Sequence, residues 1–156
     1  MSLYVQASDY VGISFWIVSV AMFAATVFLL YEGMNVKSSW RVSLLVVGLV
    51  TLIATIHYYY MRELWVNTGE SPIVYRYIDW LLTVPLQMIE FYLILIAAGL
   101  AVSPSVFWRL LFGTLVMLLG GYAGENGWIS APMGFVIGMA GWLFIGFEIF
   151  KGESSV

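Results

Sequence analysis

Residues 76–90 read RYIDWLLTVPLQMIE, an apolar run that nevertheless carries Arg76, Asp79, Thr83, Gln87 and Glu90. At about 100° per residue of an α-helix, these five fall at about 0, −60, −20, +20 and −40°. They share one narrow stripe, while Ile78, Leu82, Leu86 and Ile89 fall elsewhere. A rise of ~1.5 Å per residue separates Asp79 from Glu90 by ~16 Å along the axis, about half the hydrocarbon thickness of a bilayer. Two carboxyls that far apart on one face point to a transfer path rather than to a two-carboxylate hydrolase.

The surrounding composition puts this stripe in a membrane. Of 156 residues, 62% are hydrophobic and 10% charged, with a mean hydropathy of +0.95. Soluble domains carry about 25% charged residues, so the excess of apolar side chains is too large for one buried core. The chain is expected to be an integral membrane protein. It has no cysteine and one histidine, which excludes disulfides and thiolate chemistry and argues against a histidine-rich metal site. A net charge of −3 with six scattered cations gives no basic patch, so nucleic acid is not an expected partner. The opening MSLYVQASDY lacks a basic region before its first apolar run, and that run is too long for a signal peptide. It reads as a retained first span.

Outward from the stripe, polar connections divide the chain into five expected spans, at about 11–31, 42–61, 75–100, 106–123 and 128–148. The fold class is all-α, a polytopic transmembrane helix bundle in a single domain. The first, third and terminal connections hold Lys37, Arg41, Arg109 and Lys151, against Arg62 on the opposite side. That bias places the first group in the cytoplasm and the N-terminus outside, with Asp79 toward the outer face and Glu90 toward the inner. Gly113, Gly120, Gly134, Gly138 and Gly141 offer small-residue faces for close helix packing. Most of the aromatics, including Tyr58, Tyr59, Tyr60, Tyr75 and Tyr77, read as an interfacial belt.

Ionisable groups at membrane depth are costly and demand an explanation. Arg76 and Asp79 lie one turn apart, within reach of an internal ion pair, and that structural reading stands open beside a functional one. Glu90 has no cation near it in sequence; an acid that stays protonated in apolar surroundings, able to take and give a proton, explains it more readily. His57 lies near the outer end of the second span, at the depth expected for Asp79, where a hydrogen bond between them competes with a packing role. Thr83 has back-bonding to the main chain as its default role beside Pro85. Trp80 and Trp142 could wall a flat apolar cofactor, though aromatic residues alone carry little specificity.

RYIDWLLTVPLQMIEFYLIL resembles the third helix of the microbial (type 1) rhodopsins, and of their proteorhodopsin branch in particular. DYVGISFW, HYYYMRELW, TGESP and GYAGENG continue the resemblance in order, over nearly the whole chain. It implies a retinal-binding, light-driven outward proton pump of a bacterial inner membrane, a transporter rather than an enzyme. By resemblance Asp79 is the counterion and primary proton acceptor, Glu90 the cytoplasmic proton donor, and His57 and Arg76 tune the acceptor. Trp80, Thr83, Gln87 and Trp142 match retinal-pocket positions, and glutamine at 87 resembles the blue-absorbing variants. A carboxylate at 90 favours a pump over the sensory relatives.

The family has seven helices and holds retinal on a lysine of the seventh. The lysines of this sequence are Lys37 and Lys151, both in polar connections. The expectation is therefore five helices of a seven-helix bundle, with retinal on a lysine outside this chain. A two-helix complement, the lipid bilayer and further copies of the chain are the expected partners. A sensory photoreceptor and a chromophore-free structural membrane fragment remain the alternative readings.

Overall fold

The computed structural model describes residues 5–153 and 155. Among them are five α-helices and no strand: α1 Tyr10–Asn35, α2 Ser38–Thr68, α3 Ile73–Ala97, α4 Pro104–Glu125 and α5 Ala131–Lys151. All five are long and apolar enough to cross a membrane. The chain forms two compact units, Met1–Thr83 and Val84–Val156, with α3 running from the first into the second.

Local sequence explains where the helices stop. Asp9 caps α1, its Oδ1 accepting the Gly12 N–H at 2.9 Å and the indole N–H of Trp65 at 3.0 Å. These two bonds, the Gly12 amide foremost, hold the Asp9 carboxyl below the usual carboxylate range. α2 continues well beyond Met61, where the expected span ends, because Arg62 and Glu63 are good helix formers that extend it past the apolar segment. It ends at Gly69, which takes the left-handed conformation at φ +72° and returns its N–H to the Trp65 carbonyl. α3 ends at Ala97 rather than near Leu100, since Gly99 at φ +86° closes it. Pro104 opens α4 directly after Ser103, and Pro132 is the second residue of α5, whose N-cap is Ser130. Trp128 therefore precedes α5 instead of opening it.

In the first unit α1 and α2 pack along small and hydroxylated residues. Ser19, Thr26, Ser43 and Ala54 are buried. The Thr26 and Thr51 hydroxyls bridge the helices at 2.8 Å, a polar contact of the kind that joins helices where apolar burial offers no driving force. Toward the α2 C-terminus Trp16, Tyr59, Tyr60 and Tyr75 form a chain of ring contacts. The Arg62 guanidinium lies 5.0 Å from the Trp16 ring centre and 5.1 Å from that of Tyr59. Tyr77 departs from the expected belt: it is buried, edge-on to Trp80 with ring centres 5.2 Å apart.

In the second unit Val106, Leu110 and Ile145 form the core, with Met88 and Phe91 of α3 against it. Glycines line the α4–α5 contact from both sides. A methyl group at Gly134 would stand 2.6 Å from the Gly124 Cα, and one at Gly120 would stand 2.6 Å from Ile137 Cγ2. The small-residue faces expected from the sequence are thus the packing surface.

The open ends of these helices are fastened by charge. Arg109 Nε lies 3.2 Å from Glu148 Oε2, and its Nη2 lies 3.1 Å from Glu153 Oε2. Glu153 also accepts the Ser103 backbone N–H at 2.6 Å and the Ser103 hydroxyl at 2.9 Å, capping α4 from the far end of α5. The Ser103 amide, then its hydroxyl, then Arg109 hold the Glu153 carboxyl below the usual glutamate range. A carboxyl depressed on folding contributes stability above its unfolded value, about 4.3, and loses it as pH falls through the folded value. Protection of the Ser103 amide, taken relative to the free-peptide exchange rate at the same pH, is therefore expected to hold at neutral pH and to fall as pH drops through the folded value. Glu153→Gln should lower that protection at neutral pH and flatten the acid response. An unchanged exchange profile in the variant would remove the cap from this account.

Candidate functional site

Asp79 is the deepest carboxyl of the stripe. It sits in the membrane helix α3 with only 3% of its surface exposed, and its Oδ1 has no hydrogen-bond partner. A charged side chain costs about 2.5–3.5 kcal/mol at the very centre of a membrane helix on insertion scales, an upper bound for Asp79 in the second turn of α3. A carboxyl left in that state is expensive as architecture. His57, reaching across from α2, supplies the nearest basic group, with Nδ1 3.5 Å from Asp79 Oδ1. The same Nδ1 lies 2.9 Å from the Ile53 carbonyl oxygen. A carbonyl only accepts, so Nδ1 carries the hydrogen, donating along its own helix while facing the carboxyl. The approach of His57 to Asp79 expected from the sequence is present, as an electrostatic contact rather than a short hydrogen bond.

Thr83 is buried one turn on, and its hydroxyl donates to the Asp79 carbonyl at 2.9 Å. It is the back-bond expected beside Pro85, which lies inside α3. Proline supplies no N–H to the helix, so the Leu81 carbonyl loses its usual donor just beyond Asp79.

Arg76 corrects one reading. The internal ion pair with Asp79 does not form: Nη2 donates to the Ser71 hydroxyl at 3.0 Å, and the guanidinium lies 5.9 Å from the Trp80 ring centre. Ser71 is the residue that sequence reasoning missed. Asp79 is closer in sequence and opposite in charge, and nothing in TGESP marks the serine as a partner. Tyr77, packed on Trp80, was expected in the interfacial belt; the signal that could have placed it is an aromatic pair three residues apart on a helix.

The remaining stripe residues lie in the second unit. Glu90 is half-buried on α3, and among the described residues no cation forms an ion pair with it. Gln87 is exposed, and Trp142 on α5 is 56% exposed beside Gly141, which itself faces α4. Lys37 and Lys151 are exposed at helix ends, Lys37 preceding α2 and Lys151 closing α5. No cluster of metal-ligating side chains occurs among the described residues.

Within the first unit this arrangement can hold and exchange a proton. A buried carboxyl with a free oxygen has an imidazole on one side and a tethered guanidinium one turn away. Comparison with known proteins bears on what it exchanges with. The sequence profile of the bacteriorhodopsin-like protein family matches residues 9–155. The chain is 56% identical over 146 residues to a blue-light absorbing proteorhodopsin of Gamma-proteobacterium Hot 75m4, covering 94% of this chain and 58% of that protein. It thus spans somewhat under three-fifths of that relative's length. Among solved structures it is similar to the blue light-absorbing proteorhodopsin from Med12, with a TM-score of 0.82, 51% identity, and coverage of 91% of this chain and 68% of that one. It is also similar to xanthorhodopsin, described as a light-driven ion pump with dual chromophore, at a TM-score of 0.77 and 26% identity over 92% of this chain and 64% of that one.

Proposed function

The chain belongs to the bacteriorhodopsin-like protein family, and on that premise we propose that it provides the proton-transfer helices of a retinal-dependent, light-driven outward proton pump. The observation that carries the proposal is Asp79: a carboxyl buried in a membrane helix whose Oδ1 lacks a hydrogen bond. Such an atom suits a protonated nitrogen brought beside it by another group, so the residues present fit the acceptor side of a retinal site. When bound through a lysine, retinal would supply a proton whose affinity and access change with light.

Each residue of this chain then has its own task. Asp79 receives the proton at Oδ1. His57, with Nδ1–H facing that oxygen, stabilises the carboxylate before transfer and fixes its orientation. Thr83 binds the Asp79 carbonyl and steadies the helix turn next to Pro85. Glu90, on the same helix eleven residues on, holds a proton and returns it from the inner side. In the first unit Trp80, with Tyr77 packed on it, takes the role of a retinal-wall residue; Gln87 and Trp142, in the second unit, are assigned to retinal by resemblance alone. The cationic connections orient the N-terminus outside a bacterial inner membrane, which makes the direction outward.

The retinal lysine in this reading lies outside residues 1–156, on a two-helix complement, because Lys37 and Lys151 are exposed at helix ends. Adding retinal with a lysine-bearing complement should give a visible pigment, and mass spectrometry should find the adduct on the complement. A 17.5 kDa species carrying retinal covalently on Lys37 or Lys151 would overturn that assignment. Glu90→Gln should leave the first transfer to Asp79 intact. It should slow recovery of the pigment after a flash by about a hundredfold, the low end of what a positioned acid contributes. Unaltered recovery would remove Glu90 from the donor role.

A further inference from the structure

We propose that Ser71 is a positioning residue that parks Arg76 away from Asp79. The inference rests on the acceptor role of Asp79 set out above and deepens it. Arg76 lies one helical turn from Asp79 with an opposite charge, so an unrestrained guanidinium would be drawn to the carboxylate. Instead its Nη2 donates to the Ser71 hydroxyl at 3.0 Å, and its Cζ lies 5.9 Å from the centre of the Trp80 ring. The buried Asp79 Oδ1 is left with His57 Nδ1 at 3.5 Å and no hydrogen bond.

Ser71 is well placed to act as a catch. It stands immediately before Pro72, whose carbonyl accepts the Arg76 N–H at 3.0 Å, and its own carbonyl accepts the Ile73 N–H at 2.8 Å. The backbone that carries the hydroxyl is thereby fixed to the first turn of α3. The hydroxyl can accept from Arg76 without moving. Trp80, one turn beyond Arg76, offers its ring to the same cation and supports the parked position. Two groups facing Asp79 then divide the work: His57 of α2 stays beside the carboxyl, while Arg76 of α3 is held back by Ser71. Release of the catch would bring a permanent positive charge toward the acceptor. The Ser71 hydroxyl thus governs how much positive charge the acceptor feels.

The chain has two aspartates, Asp9 and Asp79, and four arginines, which makes a direct measurement practical. Solid-state NMR of the chain in lipid bilayers, with ¹³C in aspartate carboxyls and ¹⁵N in arginine guanidinium groups, reads carboxyl–guanidinium proximity. Asp79→Asn identifies the Asp79 signal. In the parent chain no guanidinium should lie within about 4–6 Å of it, the range over which an opposite charge dominates a carboxyl. Ser71→Ala should make such a contact appear, Ser71→Thr should keep the parent pattern, and Ser71→Ala with Arg76→Gln should abolish the contact again. A contact already present in the parent, or none in Ser71→Ala, overturns the proposal. Proton export is a separate readout. Its absence with the NMR pattern intact would refute the pump and leave the catch standing.

Discussion

Asp79→Asn is expected to reduce light-driven proton export by at least about two orders of magnitude, the scale on which removal of a positioned proton acceptor acts. The amide is nearly isosteric with the carboxyl but cannot take a proton. In a site with 3% exposure no bulk water substitutes for it. The fold should tolerate the change, since the substitution removes a buried ionisable group and leaves the Thr83 bond to the Asp79 backbone carbonyl untouched. Membrane insertion and helix content should match the parent. Export measured as a light-dependent fall in the pH of the medium, normalised to protein inserted, separates the readings. A chain that only packs with partners would insert and assemble equally well with either residue and show no export to lose. Retention of export by the variant would remove Asp79 from the path.

Gly141→Leu should carry the largest cost in stability. A Cβ at Gly141 would lie 2.6 Å from the Met117 backbone nitrogen and 2.7 Å from the Gly113 carbonyl oxygen. Backbone atoms inside a hydrogen-bonded helix cannot turn aside as a side chain does, so α4 and α5 would have to separate. Overpacking of this kind costs about 1–3 kcal/mol and more where the surroundings are rigid. Separation would also loosen the Val106–Leu110–Ile145 core. Gly146 is the matched control: beyond its chain neighbours and its own helix backbone no atom lies within 4 Å of a Cβ there, and Gly146→Leu should be neutral or stabilising by up to about 1 kcal/mol through helix propensity. Denaturant titration in detergent micelles reads both. Equal stability of the two variants would mean that the glycine face of α5 is not what joins it to α4.

These two residues also mark how far the sequence could be read. Asp79 stands out because a carboxyl within an apolar run has no cheap explanation, and its stripe follows from helical periodicity alone. Gly141 was legible as one of three small residues spaced along a face, and the structure turns that face onto α4. Membership of the family was legible too, since the motifs run in order through the chain. Helix ends were harder. The expected second span stops at Met61 because Arg62 and Glu63 are charged, yet a helix can leave the hydrocarbon without unwinding, and α2 continues to Thr68.

Apart from the approach of His57 to Asp79, contacts between distant residues were beyond reach. Glu153 caps α4 through Ser103, 50 residues away, and no periodicity links the two. Arg76 shows a subtler limit. Sequence proximity and charge favoured Asp79, whereas the partner is a neutral serine five residues earlier, just ahead of the same helix. The roles of Glu90, Gln87 and Trp142 came from resemblance to relatives rather than from any neighbour that would have identified them.

In the proposed function the carboxyls of α3 move protons outward when light acts on a bound retinal. Intact cells carrying this chain with retinal and the lysine-bearing complement, held in unbuffered medium and illuminated, test it most directly. The medium should acidify in the light, recover in the dark, and stay flat when a protonophore is added or Asp79 is replaced by Asn. A coloured pigment that leaves the pH of the medium unchanged under illumination would contradict it.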